Sequence, residues 1–226
     1  MTTHFAELAE IVRIPSPAPA PQALACDGEH LWLGSWDTAR IYGIYANQGR
    51  VFEEQQAPGK PVGATVVGDE LRLVCSELDD SRFIRRYVPG HGFKSHDVIA
   101  CPGDTGSFLA FDGTCLWLSQ RHNKLVLELD ARGVPVRTVP VGEEIMGMSW
   151  VGERLYVMLW LGKARGGSHL AYVEPPPRTA DGATRPVSPN FVARSPFSAV
   201  ALAHDGARFL TNDFKAQQIV EFKAPD

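Results

Sequence analysis

Phe108-Leu-Ala-Phe-Asp-Gly-Thr-Cys-Leu-Trp-Leu118 is a short apolar run, an Asp-Gly turn and a second apolar run. The pattern occurs four more times, twice with Asp-Gly at the turn and twice with Gly-Asp or Gly-Glu. The other copies are Ala23-Leu-Ala-Cys-Asp-Gly-Glu-His-Leu-Trp-Leu33, Ala64-Thr-Val-Val-Gly-Asp-Glu-Leu-Arg-Leu73, Met148-Ser-Trp-Val-Gly-Glu-Arg-Leu-Tyr-Val157 and Val200-Ala-Leu-Ala-His-Asp-Gly-Ala-Arg-Phe-Leu210. Aligned on Leu31, Leu71, Leu116, Leu155 and Phe209, the copies are 40, 45, 39 and 54 residues apart. Asp-Gly between apolar runs is hairpin chemistry, because both residues tolerate the positive φ of a tight turn. A strand-built period of about 40–50 residues marks a β-propeller.

The reading that follows is an all-β, five-bladed propeller with four-stranded antiparallel blades. One domain over residues 1–226 is expected, with repeats near 21–60, 61–105, 106–145, 146–196 and 197–226. The fifth repeat lacks an outer strand, and Leu8-Ala-Glu-Ile-Val-Arg-Ile14 precedes the first repeat as a spare one. Pairing this N-terminal strand with the C-terminal blade closes the ring and covers an open edge. Two proline-rich stretches depart from the repeat. Residues 15–21 read as a stiff connector into the first blade. Residues 174–186 read as an excursion that lengthens the fourth repeat, either a surface loop or a docking contact.

The chain carries 22 basic and 26 acidic residues, a net charge of -4. No basic stripe is present, so a nucleic-acid partner is not expected. The start has no basic segment followed by an apolar one, and no apolar run approaches the ~20 residues of a membrane span. The expected location is the cytoplasm, away from membranes. Cys26, Cys75, Cys101 and Cys115 form no CxxC pair and read as reduced thiols rather than zinc ligands. The Asp-Gly turns at Asp27, Asp112 and Asp205 read as structural, and Trp32, Trp117 and Tyr156 as packing between blades.

Functional side chains are expected where each blade's second strand ends, on the face at which propellers commonly carry their sites. The aligned position there is Trp36, Ser76, Arg121, Trp160 and Phe214. An aromatic wall with one cation suits a flat or anionic small molecule. Trp36, Asp37, Trp160, Phe214, Gln120 and Asn212 are the candidate ligand-binding residues. His122, beside Arg121, is the candidate for proton transfer, since an imidazole titrates near neutral pH. In that role Arg121 would hold an oxyanion, and Asp213 or Glu77 would orient the imidazole. Calcium remains an open alternative through Asn212, Asp213, Asp37, Glu77 and Gln120, but Val74, Met158 and Leu159 make two of the five sectors apolar. No resident cofactor or metal is therefore expected.

The units around Leu24–Leu33 and Phe108–Ser119 resemble the blades of a broad propeller superfamily. It includes NHL-repeat proteins, the SMP-30/gluconolactonase group, streptogramin B lyases and glutaminyl cyclotransferases. The resemblance covers most of the chain at the level of the repeat, and it implies the fold. It carries no catalytic residue over, because no local motif of those enzymes is present and the metal-ligand positions of the gluconolactonase group hold apolar residues here. Two functions stay open: a propeller that binds a small molecule, glycan or protein at its funnel, and an acid–base enzyme (lactone or ester hydrolase, lyase or cyclase) acting on a small anionic or aromatic substrate at the same place. A protein partner or a homo-oligomer is a further expectation.

Overall fold

The structure is a computed structural model that describes residues 5–178 and 184–224. Its strands form five four-stranded antiparallel sheets. Blade 1 comprises β2 (Pro21–Cys26), β3 (His30–Ser35), β4 (Arg40–Tyr45) and β5 (Arg50–Gln56). Blade 2 comprises β6 (Lys60–Val67), β7 (Glu70–Ser76), β8 (Arg82–Val88) and β9 (Gly92–Ala100). Blade 3 comprises β10 (Leu109–Phe111), β11 (Leu116–Gln120), β12 (Leu125–Leu129) and β13 (Pro135–Pro140). Blade 4 comprises β14 (Glu144–Val151), β15 (Arg154–Trp160), β16 (Ser168–Val173) and β17 (Asn190–Arg194). Blade 5 has β18 (Ala199–His204), β19 (Phe209–Asp213) and β20 (Gln218–Lys223), and β1 (Ala9–Pro15) is its outer strand. The expected five-bladed ring, closed by the N-terminal strand, is what the chain forms.

The repeated Asp-Gly unit has a local physical cause. Asp27 Oδ1 accepts the backbone N–H groups of Glu29 and His30 at 3.0 and 2.7 Å, and its Oδ2 accepts Trp32 Nε1 at 3.1 Å. Asp112 does the same for Thr114 and Cys115, and takes Trp117 Nε1 at 2.8 Å. Asp205 ties only the turn, because Leu210 lies where blades 1 and 3 have tryptophan. The turn aspartate thus fixes the hairpin and lets a tryptophan bury without an orphaned N–H. Those rings fill the seams between blades. Trp32 lies 5.8 Å from Tyr87, Trp117 5.4 Å from Trp150, and Tyr156 4.8 Å from Phe209.

Burial works against the charge on Asp27 and Asp112, but the indole and backbone donors outweigh it and hold both carboxyls below their usual range. Groups depressed in the folded state stabilise it above the unfolded pKa of about 4 and lose that contribution as pH falls through the folded values. Thermal melts should therefore show stability falling below about pH 4. Asp112→Asn should flatten part of that slope, and an unchanged slope would show that this turn does not contribute.

The closing strand does more than was expected of it. β1 pairs with β20 from Ala9↔Lys223 to Pro15↔Gln218, with Ile14 opposite Ile219. Upstream, the chain is pinned to blade 4 as well: Arg194 N–H donates to Ala6 O at 2.7 Å and Leu8 N–H to Arg194 O at 3.0 Å. Phe5 packs on His169 and Phe191 at 5.2 and 5.4 Å. One N-terminal segment therefore staples the fourth and fifth blades together.

The described parts of the proline-rich excursion lie along blade 3. Pro176 O accepts the Arg137 guanidinium, Arg178 pairs with the buried Glu128, and Val187 N–H donates to Pro140 O at 3.0 Å. The middle of that excursion, residues 179–183, lies outside the described residues. All four cysteines are free. Burial pushes the Cys75 and Cys101 thiols up to about 12, which makes them unreactive.

Candidate functional site

Near the funnel mouth the innermost strands break their regular pairing. Register shifts fall between Pro21 and Ala23, Pro61 and Gly63, Ile145 and Gly147, and Val200 and Ala203. A bulge leaves one residue unpaired and re-aims its side chain. In blades 1 and 2 those residues are Gln22 and Val62, and both line a cavity of about 310 Å³. In blade 3, Ser107 and Phe108 reach the same cavity, held by Ser107 N–H to Ser119 O at 2.8 Å and Phe108 N–H to Ser119 Oγ at 2.9 Å.

The rest of the lining comes from connections on the same face. Trp36, Arg121, His122 and Phe214 are all there, with Thr105 and Arg82. Four candidates read from the sequence thus converge from blades 1, 3 and 5. Trp36 and Arg121 are half-buried, and His122 and Phe214 are exposed. Arg121 Nε donates to Glu144 at 3.0 Å, while its terminal nitrogens have no partner among the described residues.

Arg82 is the charged lining residue that reasoning from sequence missed, along with the uncharged Gln22, Val62, Ser107 and Phe108. It opens the third strand of blade 2, a position outside the aligned strand ends. Half-buried, it donates from Nη1 to Gly106 O at 2.9 Å. Its guanidinium lies 6.0 Å from the Trp36 ring centre, and Lys60 Nζ lies 4.8 Å from the same ring. Among the described residues no carboxylate is within ion-pair distance of Arg82 or Lys60. Burial lowers the pKa of Arg82, which records the cost of holding this charge away from water.

The other candidates are placed elsewhere. Asp213 is 4% exposed and is occupied by Arg13 at 2.9 Å and by the N–H groups of Lys215 and Ala216 at 3.2 and 3.1 Å. Glu77 forms a two-pronged pair with Arg85, both contacts at 2.6 Å. Neither carboxylate is bonded to His122, so the expected orienting contact is not assembled. Gln120 ties together the turn ahead of blade 3, donating to Pro102 O at 2.7 Å and Thr105 O at 3.2 Å. Asn212 is fully buried, and neither polar atom of its amide has a partner. Asp37 is exposed and lines none of the cavities described here. Trp160 lines a neighbouring cavity. Among the described residues no three His, Cys, Asp or Glu side chains are grouped to hold a metal ion, and no helix is long and apolar enough to cross a membrane.

The fold and the funnel define a five-bladed propeller with a lined cavity at one mouth. No family model and no curated protein matches the chain. Solved structures do. A glutaminyl cyclase from Myxococcus xanthus matches with a TM-score of 0.68 at 12% identity, over 96% of this chain and 97% of that one. The PQQ-bound aldose sugar dehydrogenase from Streptomyces coelicolor matches with a TM-score of 0.64 at 15% identity, over 97% and 81%. The calcium-binding protein regucalcin from Agrobacterium tumefaciens matches with a TM-score of 0.57 at 11% identity, over 97% and 95%. These neighbours are propellers, and at such identities the likeness is one of fold.

Proposed function

We propose that this chain is a binding protein for a small anionic molecule, held in the cavity at the funnel mouth. The observation that carries the reading is Arg82: a half-buried guanidinium beside a cavity, with no carboxylate partner among the described residues. Burying a charge without a partner is costly, and an anion entering the cavity would offset that cost. The free ends of Arg121 offer a second set of donors, and a planar guanidinium suits a carboxylate. Thr105 and Ser107 supply hydroxyls. Trp36, Phe108 and Phe214 supply the apolar surface that orients a ring, in the balance usual for ligand cavities.

The acid–base alternative retains two of its groups, His122 and Arg121, in the same cavity. Its intended partners, Asp213 and Glu77, are committed to Arg13 and Arg85, and binding is therefore the reading put forward.

Calorimetric titration with benzoate and with the neutral benzamide tests it. Benzoate should bind, benzamide should bind far more weakly, and salt should weaken only the former. Arg82→Gln should cost benzoate about 2 kcal/mol, a loss of roughly thirtyfold, the worth of a charged hydrogen bond. Equal binding of the neutral compound, or an unaffected Arg82 variant, would overturn the proposal.

A further inference from the structure

The funnel face carries a second cavity, of about 460 Å³, at the seam of blades 4 and 5. The two cavities share a wall. Phe214 lines the first, and its chain neighbours Asp213 and Lys215 line the second. Phe214 N–H donates at 3.1 Å to the carbonyl of Ser198, which also lines the second cavity. One hydrogen-bonded turn therefore separates them.

Their chemistry is alike. Trp160 lines the second cavity and stands at the same blade position as Trp36 in the first. Lys163 and Lys215 line it too, and among the described residues neither has a carboxylate within ion-pair distance. The one carboxylate in its lining, Asp213, is paired with Arg13, which it shares with Glu10. Ser168, Ser195 and Ser198 add hydroxyls. Each cavity thus has one tryptophan, at least one cation without an acidic partner, and hydroxyl donors.

We infer that the two cavities are the halves of one site for an elongated dianion with a ring and an acidic group at each end. The ligand lies across the Phe214 edge, one acidic group at Arg82 and Arg121 and the other at Lys163 and Lys215. The inference rests on the anion-binding reading above and extends it to the length and charge of the ligand. Two kinds of molecule share this chemistry, aromatic dicarboxylates and acidic disaccharides.

The test is calorimetric titration with one-ring and two-ring probes of each kind: benzoate against biphenyl dicarboxylate, and galacturonate against digalacturonate. Linking two acidic rings that engage both halves should tighten binding by about tenfold or more in one of the pairs, and that pair identifies the kind of ligand. The double variant Lys163→Gln/Lys215→Gln should return the two-ring probe to the affinity of its one-ring partner and leave the one-ring probe unchanged. A two-ring probe no tighter than its partner in both pairs, or a gain that survives the lysine changes, overturns the inference while leaving anion binding at Arg82 intact. Failure of every one-ring and two-ring probe to bind overturns both.

Discussion

Gly147→Ala should lower the stability of the protein by about 3 kcal/mol or more, the upper range for overpacking, and its melting temperature by about 10 °C. A Cβ at Gly147 would meet the Ala201 carbonyl carbon at 2.3 Å and its oxygen at 2.6 Å. Those atoms belong to the bulge of the next inner strand, where Ala201 holds a φ of 64° and its carbonyl accepts the Thr211 hydroxyl at 2.7 Å. Neither side can yield without breaking the bulge. Gly63 repeats the contact at the seam of blades 2 and 3, with Ser107 O at 2.3 Å from the added carbon. Gly63→Ala should therefore destabilise similarly and also disturb the cavity, which Ser107 lines. A thermal melt of Gly147→Ala that overlays the parent would show that the inner strands do not touch backbone to backbone at the axis.

Removing residues 1–15 should have a larger effect. The deletion takes away Leu8 and Ile14, which are 5% and 9% exposed, along with the whole β1–β20 ladder and the bonds to Arg194. Each large buried aliphatic lost costs about 2–5 kcal/mol, so the melting temperature should fall by about 15 °C or more. The uncovered β20 edge should promote association of the truncated chains. A peptide of residues 1–15 added in excess should restore part of the loss by mass action. A truncated chain as stable as the parent would contradict closure by this strand.

These two results separate what was legible in the sequence from what was not. The Asp-Gly turn and the tryptophan five residues on could be read because their bonds are local: Asp27 to Trp32 and Asp112 to Trp117. The spare N-terminal strand could be read because the last repeat was one strand short. The extension to blade 4 could not, since the contacts of Ala6 and Leu8 with Arg194 depend on how two blades sit side by side. Asp213 looked like a funnel carboxylate by alignment, and its partner Arg13 is distant in sequence and meets it only through ring closure. Arg82 gave no signal, because an arginine that starts a third strand is ordinary until the fold shows a cavity beside it and, among the described residues, no carboxylate within ion-pair distance. Trp36 and Trp160 share one aligned position, yet they serve different cavities because Phe214 and its turn stand between them.

We propose, above all, that the funnel cavity holds an acid through Arg82. A crystal structure of the protein with benzoate tests it most directly. The carboxylate should lie between the Arg82 and Arg121 guanidinium groups, with the ring against Trp36 or Phe214. Benzoate bound elsewhere with this cavity empty, or in the cavity with its carboxylate turned away from both arginines, would contradict it.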